Sequence, residues 1–326
     1  MVRLSLAIVG GALLLSGCDE RPDAKTLAAW RKEAQEANAL RMTEESTKDA
    51  GPPWTLHLQG QIERSAALSL VDVRGTGPYV EIVVPQNKFD PIRKYRGVKI
   101  GDIVDFAKPR PEAKVVTFIG SDGYWSTVEI GHLRTYDALM AFELDGKLLT
   151  PANGGPIGLH LELERMTPEH AKRYQNAGCM YVTHMIIGDE ATHLRVGDKT
   201  LDDAALSALP EVQLSIPKVE WRTGWLPTPQ ILWGPRLRDV VGKASRVRVY
   251  GKDLLHQKIE SVATIEAADL ASCDLVLVRR YGADRKPVPS SMGGPVLLAV
   301  GNNCRNKFPR EKGGWISFAE NIEVTP

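Results

Sequence analysis

The densest set of metal-type donors in this 326-residue sequence is the stretch CMYVTHMIIGDEATH. It places Cys179, Met180, His184, Met185 and His193 within fifteen residues. Soft sulfur and imidazole donors together are the chemistry of copper. The stretch reads as a strand, and side chains on a strand alternate between faces. Met180 and His184 then share one face, Cys179 and Met185 the other, so all five cannot converge without a bend. Ser126, His132 and Asp137 have the residue types of an acyl-transfer triad. No G-x-S-x-G elbow surrounds the serine, so no catalytic set is assigned. Arg134, Arg279 and Arg280 have planar guanidinium forks suited to carboxylate or phosphate. They equally suit exposed loop and strand charges. Neither a P-loop nor a G-x-G-x-x-G pattern is present. No metal site is assigned.

Formal net charge is +1, which excludes a bulk electrostatic case for nucleic acid. Hydrophobic residues make up 43% and charged residues 25% of the chain, values that permit a globular core.

The N-terminus sets the expected compartment. Arg3 precedes an apolar run from Leu4 to Leu15, followed by Ser16, Gly17 and Cys18. The run is too short to span a bilayer and reads as a signal peptide over residues 1–17. Leu15-Ser16-Gly17-Cys18 resembles a bacterial lipoprotein lipobox, which implies cleavage before Cys18 and acylation of its sulfur. Each buried CH₂ of an acyl chain adds roughly 0.8 kcal/mol of membrane affinity. Asp19 resembles an inner-membrane retention signal. The expected location is therefore the periplasmic face of the cell envelope, lipid-anchored in the inner membrane.

Three further cysteines remain: Cys179, Cys273 and Cys304. An exported chain can pair two, and an odd number leaves one over. Cys273 with Cys304 is the expected pair, since both lie in the second half. The competing reading is three small buried hydrophobes.

The elements that would position these residues follow from periodicity. Residues 18–53 form a charged stalk, with Leu27, Trp30, Ala34 and Ala37 at helical spacing. From Trp54 the pattern changes to strands. TLHLQGQI alternates, and YVEIVV, KVVTFIG, ALMAFEL, IGLHLEL and YVTHMII are further strands. GVKIGDIVDFA has Val98, Ile100, Ile103, Val104 and Phe106 at helical spacing. Thr200 stands three residues before Asp203 and suits a helix cap. VQLSI is a strand.

These segments recur. WGPRLRDVV echoes RGVKIGDIV, and SRVRVYGKD echoes KVVTFIGSD. DLVLVRRYGADRKPVPSSMGGPVLLAV echoes DALMAFELDGKLLTPANGGPIGLHLEL, and WISFAENIEV echoes YVTHMIIGDE. The order is kept at separations of about 130 to 140 residues, an internal repeat too long for a solenoid. The expected domains are 54–198 and 199–326.

Gly97 to Val104 is similar to the G-x-x-L-x-D-L-L helix of the sulfite oxidase family. Asp122-Gly123-Tyr124 resembles its D-G-Y turn, and LMAFELDGKLLTPANGGPIGL resembles its Gly-Gly-Pro segment. The resemblance is to the oxidoreductase molybdopterin-binding domain, over roughly Leu56 to Ile187. A more degenerate copy covers roughly Gln213 to Val324, where Tyr250-Gly251-Lys252-Asp253 replaces the D-G-Y turn. The resemblance implies two tandem α+β domains, mostly β with short helices. It also implies a ligand cleft near Asp122, Gly123, Tyr124, Gly154, Gly155 and Pro156.

The chain departs from the family at the metal. The resemblance implies a cysteine thiolate ligand on the segment before the G-x-x-L-x-D-L-L helix. YVEIVVPQNKFDPIRKYRG and VQLSIPKVEWRTGWLPTPQILWG contain no cysteine. Proteins carrying this cofactor usually resemble twin-arginine export substrates, and this N-terminus has only Arg3. The expected protein is a non-catalytic module without cofactor, binding a periplasmic protein or small ligand. The alternative is a molybdopterin-dependent oxidoreductase that lacks the usual cysteine.

Overall fold

The computed structural model describes residues 54–85, 92–150, 153–216, 230–252, 262–304, 307–308 and 316–326. The expected signal peptide, Cys18, the stalk, Asp253 and Trp315 lie outside these residues. The described residues form one compact unit.

The first half contains β1 (Leu56–Gly60), β2 (Ala66–Leu68), β3 (Tyr79–Pro85), β4 (Ile92–Lys99) and β5 (Val115–Gly120). It continues with β6 (Trp125–Glu129), β7 (Leu139–Leu144), β8 (Lys147–Leu148), β9 (Gly158–His160) and β10 (Val182–Ile187). Its helices are α1 (Leu70–Arg74), α2 (Ile100–Ala107), α3 (Ile130–Thr135) and α4 (Pro168–Tyr174). One sheet has the order β2-β1-β10-β5-β6. The other has β3-β4-β7-β8, with β9 added on β7.

The second half contains β11 (Leu194–Val196), β12 (Lys199–Leu201), β13 (Glu211–Ile216), β14 (Gln230–Pro235), β15 (Arg246–Tyr250) and β16 (Val262–Glu266). It ends with β17 (Leu275–Val278), β18 (Arg280–Tyr281), β19 (Lys286–Pro287), β20 (Leu297–Val300) and β21 (Asn321–Thr325). Its helices are α5 (Asp203–Ser207), α6 (Leu237–Val241) and α7 (Ala267–Ser272). The sheets are β12-β11-β21-β15-β16, β13-β14-β18-β19 and the pair β17-β20. The fold is therefore α+β, mostly strand, with short helices.

The leading sheets of the two halves match in sense. β1 runs parallel to β10, which is antiparallel to β5. Likewise β11 runs parallel to β21, which is antiparallel to β15. The second sheet takes its first strand from Leu194, ahead of the boundary expected at 198/199. The bridges Leu159–Cys179 and Leu298–Ile316 set the register between the halves. They place Ile316 opposite Cys179, so the echo of WISFAENIEV runs three residues away from its sequence alignment.

Local chemistry explains the element ends. Ser69 and Asp72 form a reciprocal capping box on α1. α4 starts with Thr167 as N-cap and Pro168 in its first turn. Asp202, not Thr200, caps α5 by accepting from the Ala205 N–H. Thr200 is instead paired with Arg195 in the β11–β12 hairpin. Val98, placed with the helix by spacing alone, belongs to β4 opposite Tyr79 and Met140. α2 begins only at Ile100, where backbone pairing with β7 has ended.

Two large apolar clusters form the core. One contains Leu58, Ile103, Phe118, Phe142 and Met185 from the first half. The other is centred on Val249, Leu277, Leu298 and Ile322, and takes in Ile119, Trp125 and Ile186 from the first half. Trp125 meets Phe318 edge-on with ring centroids 5.3 Å apart. Asp189 accepts a hydrogen bond from the Ser290 N–H at 2.8 Å. Lys252, only 6% exposed, donates to Gln59 Oε1 at 2.9 Å and Glu190 Oε1 at 3.1 Å. The halves are thus joined by a packed seam with one buried ion pair. Burial pushes the Glu190 carboxyl up, opposed by the neighbouring Lys252 ammonium.

Candidate functional site

The two segments expected to form a cleft are brought together by a third. Asp122-Gly123-Tyr124 turns the chain between β5 and β6, with Asp122 Oδ1 accepting from the Tyr124 N–H at 3.0 Å. Such an aspartate turn satisfies the backbone without a ladder partner. Gly154, Gly155 and Pro156 lead into β9, and the Gly155–Pro156 peptide is cis. The chain at Cys179-Met180-Tyr181 passes between them. Ser121 N–H donates to Tyr181 O at 2.9 Å, and Tyr181 N–H donates to Gly154 O at 2.8 Å. Gly154 has φ +93°, a conformation that favours glycine, and a Cβ there would sit 2.7 Å from Met180 Sδ. Gly154 and Gly155 are buried, so these residues shape the wall through their backbone.

The side chains on this wall are ones that sequence spacing did not bring together. His160 on β9 is 7% exposed and stacks on Tyr95 of β4, with ring centroids 3.7 Å apart. Burial lowers the His160 pKa to about 4, so its imidazole is neutral near pH 7. Among the described residues its Nε2 has no hydrogen-bond partner. Gly158, two residues earlier, faces the same point. A Cβ on Gly158 would lie 3.3 Å from His160 Nε2 and 3.2 Å from Met180 Sδ. Met180 itself is half-buried, so its thioether links this interior point to the surface.

Cys179 is fully buried. Its S–H donates to Tyr124 O at 3.9 Å and Met180 O at 3.7 Å. Burial, then the Asp122 carboxylate, push its pKa well up. It is a protonated structural thiol, unlike the exposed, electropositive cysteines that react.

The other sequence candidates separate. Ser126 donates to Ala177 O at 2.6 Å, whereas His132 Nδ1 meets Tyr174 Oη at 2.8 Å. Asp137 pairs with Lys99 at 2.8 Å. No triad forms. Arg134 pairs with Asp105 at 2.5 Å. Arg279 is buried and bonded to Ser207 and Asp203, with Glu211 at 3.6 Å. Arg280 also faces Asp203 and Glu211. These guanidinium groups tie α5 and β13 to the junction of β17 and β18, and acidic partners already occupy them.

The copper-type set divides, but not by alternation along one strand: Cys179 and Met180 precede β10, which starts at Val182 after Tyr181 at φ +53°. His184 stacks on His57 at 4.8 Å, Met185 lies in the core and His193 lines a cavity beside Lys252. That cavity, about 110 Å³, lies on the seam and is also lined by Gln59, Glu190 and Glu320. Among the described residues no cluster of three histidine, cysteine or acidic side chains is arranged for a metal ion. Cys273 and Cys304 are joined by a disulfide, which ties the end of α7 to the segment after β20.

Residues 91–162 match the family model described as the oxidoreductase molybdopterin binding domain. The first half therefore carries a domain of this type. The matched stretch runs through β4, α2, β5, β6, α3, β7 and β9, ending beside His160. Among solved structures the chain is similar to the sulfane dehydrogenase SoxCD from Paracoccus pantotrophus. Identity is 13%, covering 84% of this chain and 78% of that one, with a TM-score of 0.34. No curated protein matches the chain.

The residues present do not fit a molybdenum centre of this family type. The β3–β4 segment, Tyr79 to Gly97, contains no cysteine. The one free thiol among the described residues, Cys179, is enclosed, protonated and donating to backbone carbonyls. A buried neutral thiol surrounded by apolar side chains cannot supply the thiolate that the metal requires.

Proposed function

We propose that this protein is a lipid-anchored periplasmic protein whose molybdopterin-type domain serves as a binding module without molybdenum catalysis. The state of Cys179 carries the reading. The family's chemistry needs a thiolate on the metal, and the thiol available here is held buried and protonated. The wall of Tyr95, His160 and Met180, framed by Gly154 and Gly158, is the feature best suited to recognise a ligand. It has an aromatic face, a neutral imidazole and a thioether, all of low charge. The lipobox-like Cys18 supports the anchor. The degenerate echo in the second half supports a duplicated domain, its second copy starting by Leu194, of which one copy keeps the ligand wall.

Protein solubilised from its own host's membranes tests this directly. Elemental analysis for molybdenum and fluorescence of oxidised pterin should both be at background. Stoichiometric molybdenum with pterin would overturn the reading, and the alternative of an oxidoreductase without the cysteine ligand would replace it.

A further inference from the structure

The seam between the halves carries charges that the shared frame does not need. Lys252 follows β15 and Glu320 precedes β21, and both line the seam cavity of about 110 Å³. Asn321 pairs with Tyr250 as His184 does with Ile119, and Phe318 shares φ +53° with Tyr181. By that register Lys252 takes the place of Ser121, and Glu320 that of Thr183. The first half therefore builds the same corner from neutral side chains. In the second half the buried Lys252 ammonium is hydrogen-bonded to Gln59 and Glu190, and Glu320 stands 3.8 Å away. Burying an ion pair costs desolvation that the pairing repays only in part, so stability is a weak reason to keep one.

We propose that this cavity binds a small primary ammonium ion, held by the carboxylates of Glu190 and Glu320. One lysine ammonium faces two carboxylates there, which leaves surplus negative charge for a cation and disfavours an anion. Burial first, and the Glu320 carboxylate as well, push the Glu190 carboxyl up. A cation bound to both carboxylates relieves that repulsion. Lys252 does not satisfy both, because 3.8 Å to Glu320 is beyond hydrogen-bond reach. Glu320 and His193 are exposed at the rim, whereas Lys252 and Phe318 are buried, so the cavity opens to solvent beside the Glu320 carboxylate. Phe318, Pro295 and Ala319 give it an apolar side, which suits a short carbon chain better than a bare inorganic ion. At roughly 30 Å³ per water the cavity takes about four water volumes, the size of a two-carbon amino alcohol.

This site is separate from the wall at His160 and goes beyond the reading of that wall. Full-length protein in detergent is titrated calorimetrically with ethanolamine, and in parallel with tetramethylammonium, potassium and acetate. Ethanolamine alone is expected to bind saturably. Tetramethylammonium carries the charge without N–H donors, so equally tight binding of it, of potassium or of acetate overturns the assignment. Absence of saturable ethanolamine binding overturns it too. These solutes test the site without any variant. Glu320→Gln changes an exposed side chain and keeps the Lys252–Glu190 pair, so the fold should persist, as circular dichroism checks. It should weaken ethanolamine about tenfold or more, the loss of a hydrogen bond to a charged acceptor. Ala191→Leu, on the cavity lining, narrows the space and should weaken it similarly. Unchanged affinity in either variant overturns the site. Molybdenum and pterin in native protein would remove the reading of the wall and leave this cavity standing. Native protein free of both that binds no ethanolamine would remove only the ammonium site.

Discussion

The two halves use one frame and fill it differently. In the first half, a Cβ on Gly97 would lie 2.0 Å from Met140 O. In the second, a Cβ on Gly234 would lie 2.0 Å from Leu277 O. Gly154, at φ +93°, would meet Met180 Sδ, and Gly293, at φ +86°, would meet the Ser317 side chain. Tyr181 and Phe318 both have φ +53°. Reading outward from these anchors, Tyr95 stands opposite Leu232, Gly158 opposite Leu297, and His160 opposite Ala299. Cys179 stands opposite Ile316. Leu232, Leu297, Ala299 and Ile316 are all essentially fully buried. The aromatic ring and imidazole of one half are replaced by buried aliphatic side chains in the other, and the thioether of Met180 by the hydroxyl of Ser317. Backbone constraints persist because the sheet needs them, whereas the donors persist only on one side. That contrast argues that the donors serve a ligand rather than the fold.

The largest expected effect tests the shared frame. Gly97→Ala and Gly234→Ala each drive a methyl into a carbonyl oxygen on the facing strand. Backbone cannot move aside as a side-chain tip can, so each should cost on the order of 4 kcal/mol or more. Denaturant unfolding of the two variants measures this. Similar losses sharpen the equivalence of the β4–β7 and β14–β17 crossings. A loss in one variant alone breaks it.

The next effect should distinguish the halves. The described first half has no disulfide, whereas Cys273–Cys304 closes a loop of sequence separation 31 in the second. Opening a loop of that length costs about 3–4 kcal/mol through the unfolded chain. Mild reduction should therefore raise hydrogen exchange in β15–β21 before β1–β10. Uniform exchange across both halves would mean that the packed seam at Trp125 and Phe318 makes them one cooperative unit.

Much of the fold was legible because strands announce themselves. YVEIVV, KVVTFIG and ALMAFEL are strands where alternation and apolar runs put them. The boundary residues were less so. Val98 fits a helical spacing and still pairs in β4, and Thr200 fits a cap and still pairs in a hairpin, because tertiary pairing overrides local preference. The repeat was visible, but its last register was not. Bridges to β9 and β20, which set Cys179 against Ile316, are long-range facts. The wall was hidden for the same reason. Tyr95, His160 and Met180 come from β4, β9 and the approach to β10, and no local spacing joins them. The one available signal was His160 itself, a lone imidazole inside the apolar run IGLHLEL.

That histidine gives the smallest effect and the most specific test of the contrast between the halves. Its pKa is near 4 in the folded protein against 6.5 for the free side chain. A base whose folded pKa is depressed binds fewer protons folded than unfolded. Stability from this group is therefore full above pH 6.5 and is lost as pH falls from 6.5 towards 4. The loss from His160 should reach about 3 kcal/mol at the acid end. Buried His184, whose pKa is also lowered by burial and by Lys252, adds a loss of the same sign. His160→Leu removes one of the two, and it also removes an unsatisfied buried nitrogen. The variant should be equal to or up to about 1–2 kcal/mol more stable than wild type at pH 7. Its advantage should widen at pH 5, as read from denaturant midpoints. Ala299→Ser in the second half places a small polar group at the corresponding position. It should destabilise by about 1–2 kcal/mol, equally at both pH values, since a hydroxyl does not titrate there. A pH-independent His160→Leu would mean that the imidazole is solvated and not part of a dry wall. A destabilised one at neutral pH would mean that Nε2 already has a structural partner, and the difference between the two halves would then lie in packing alone.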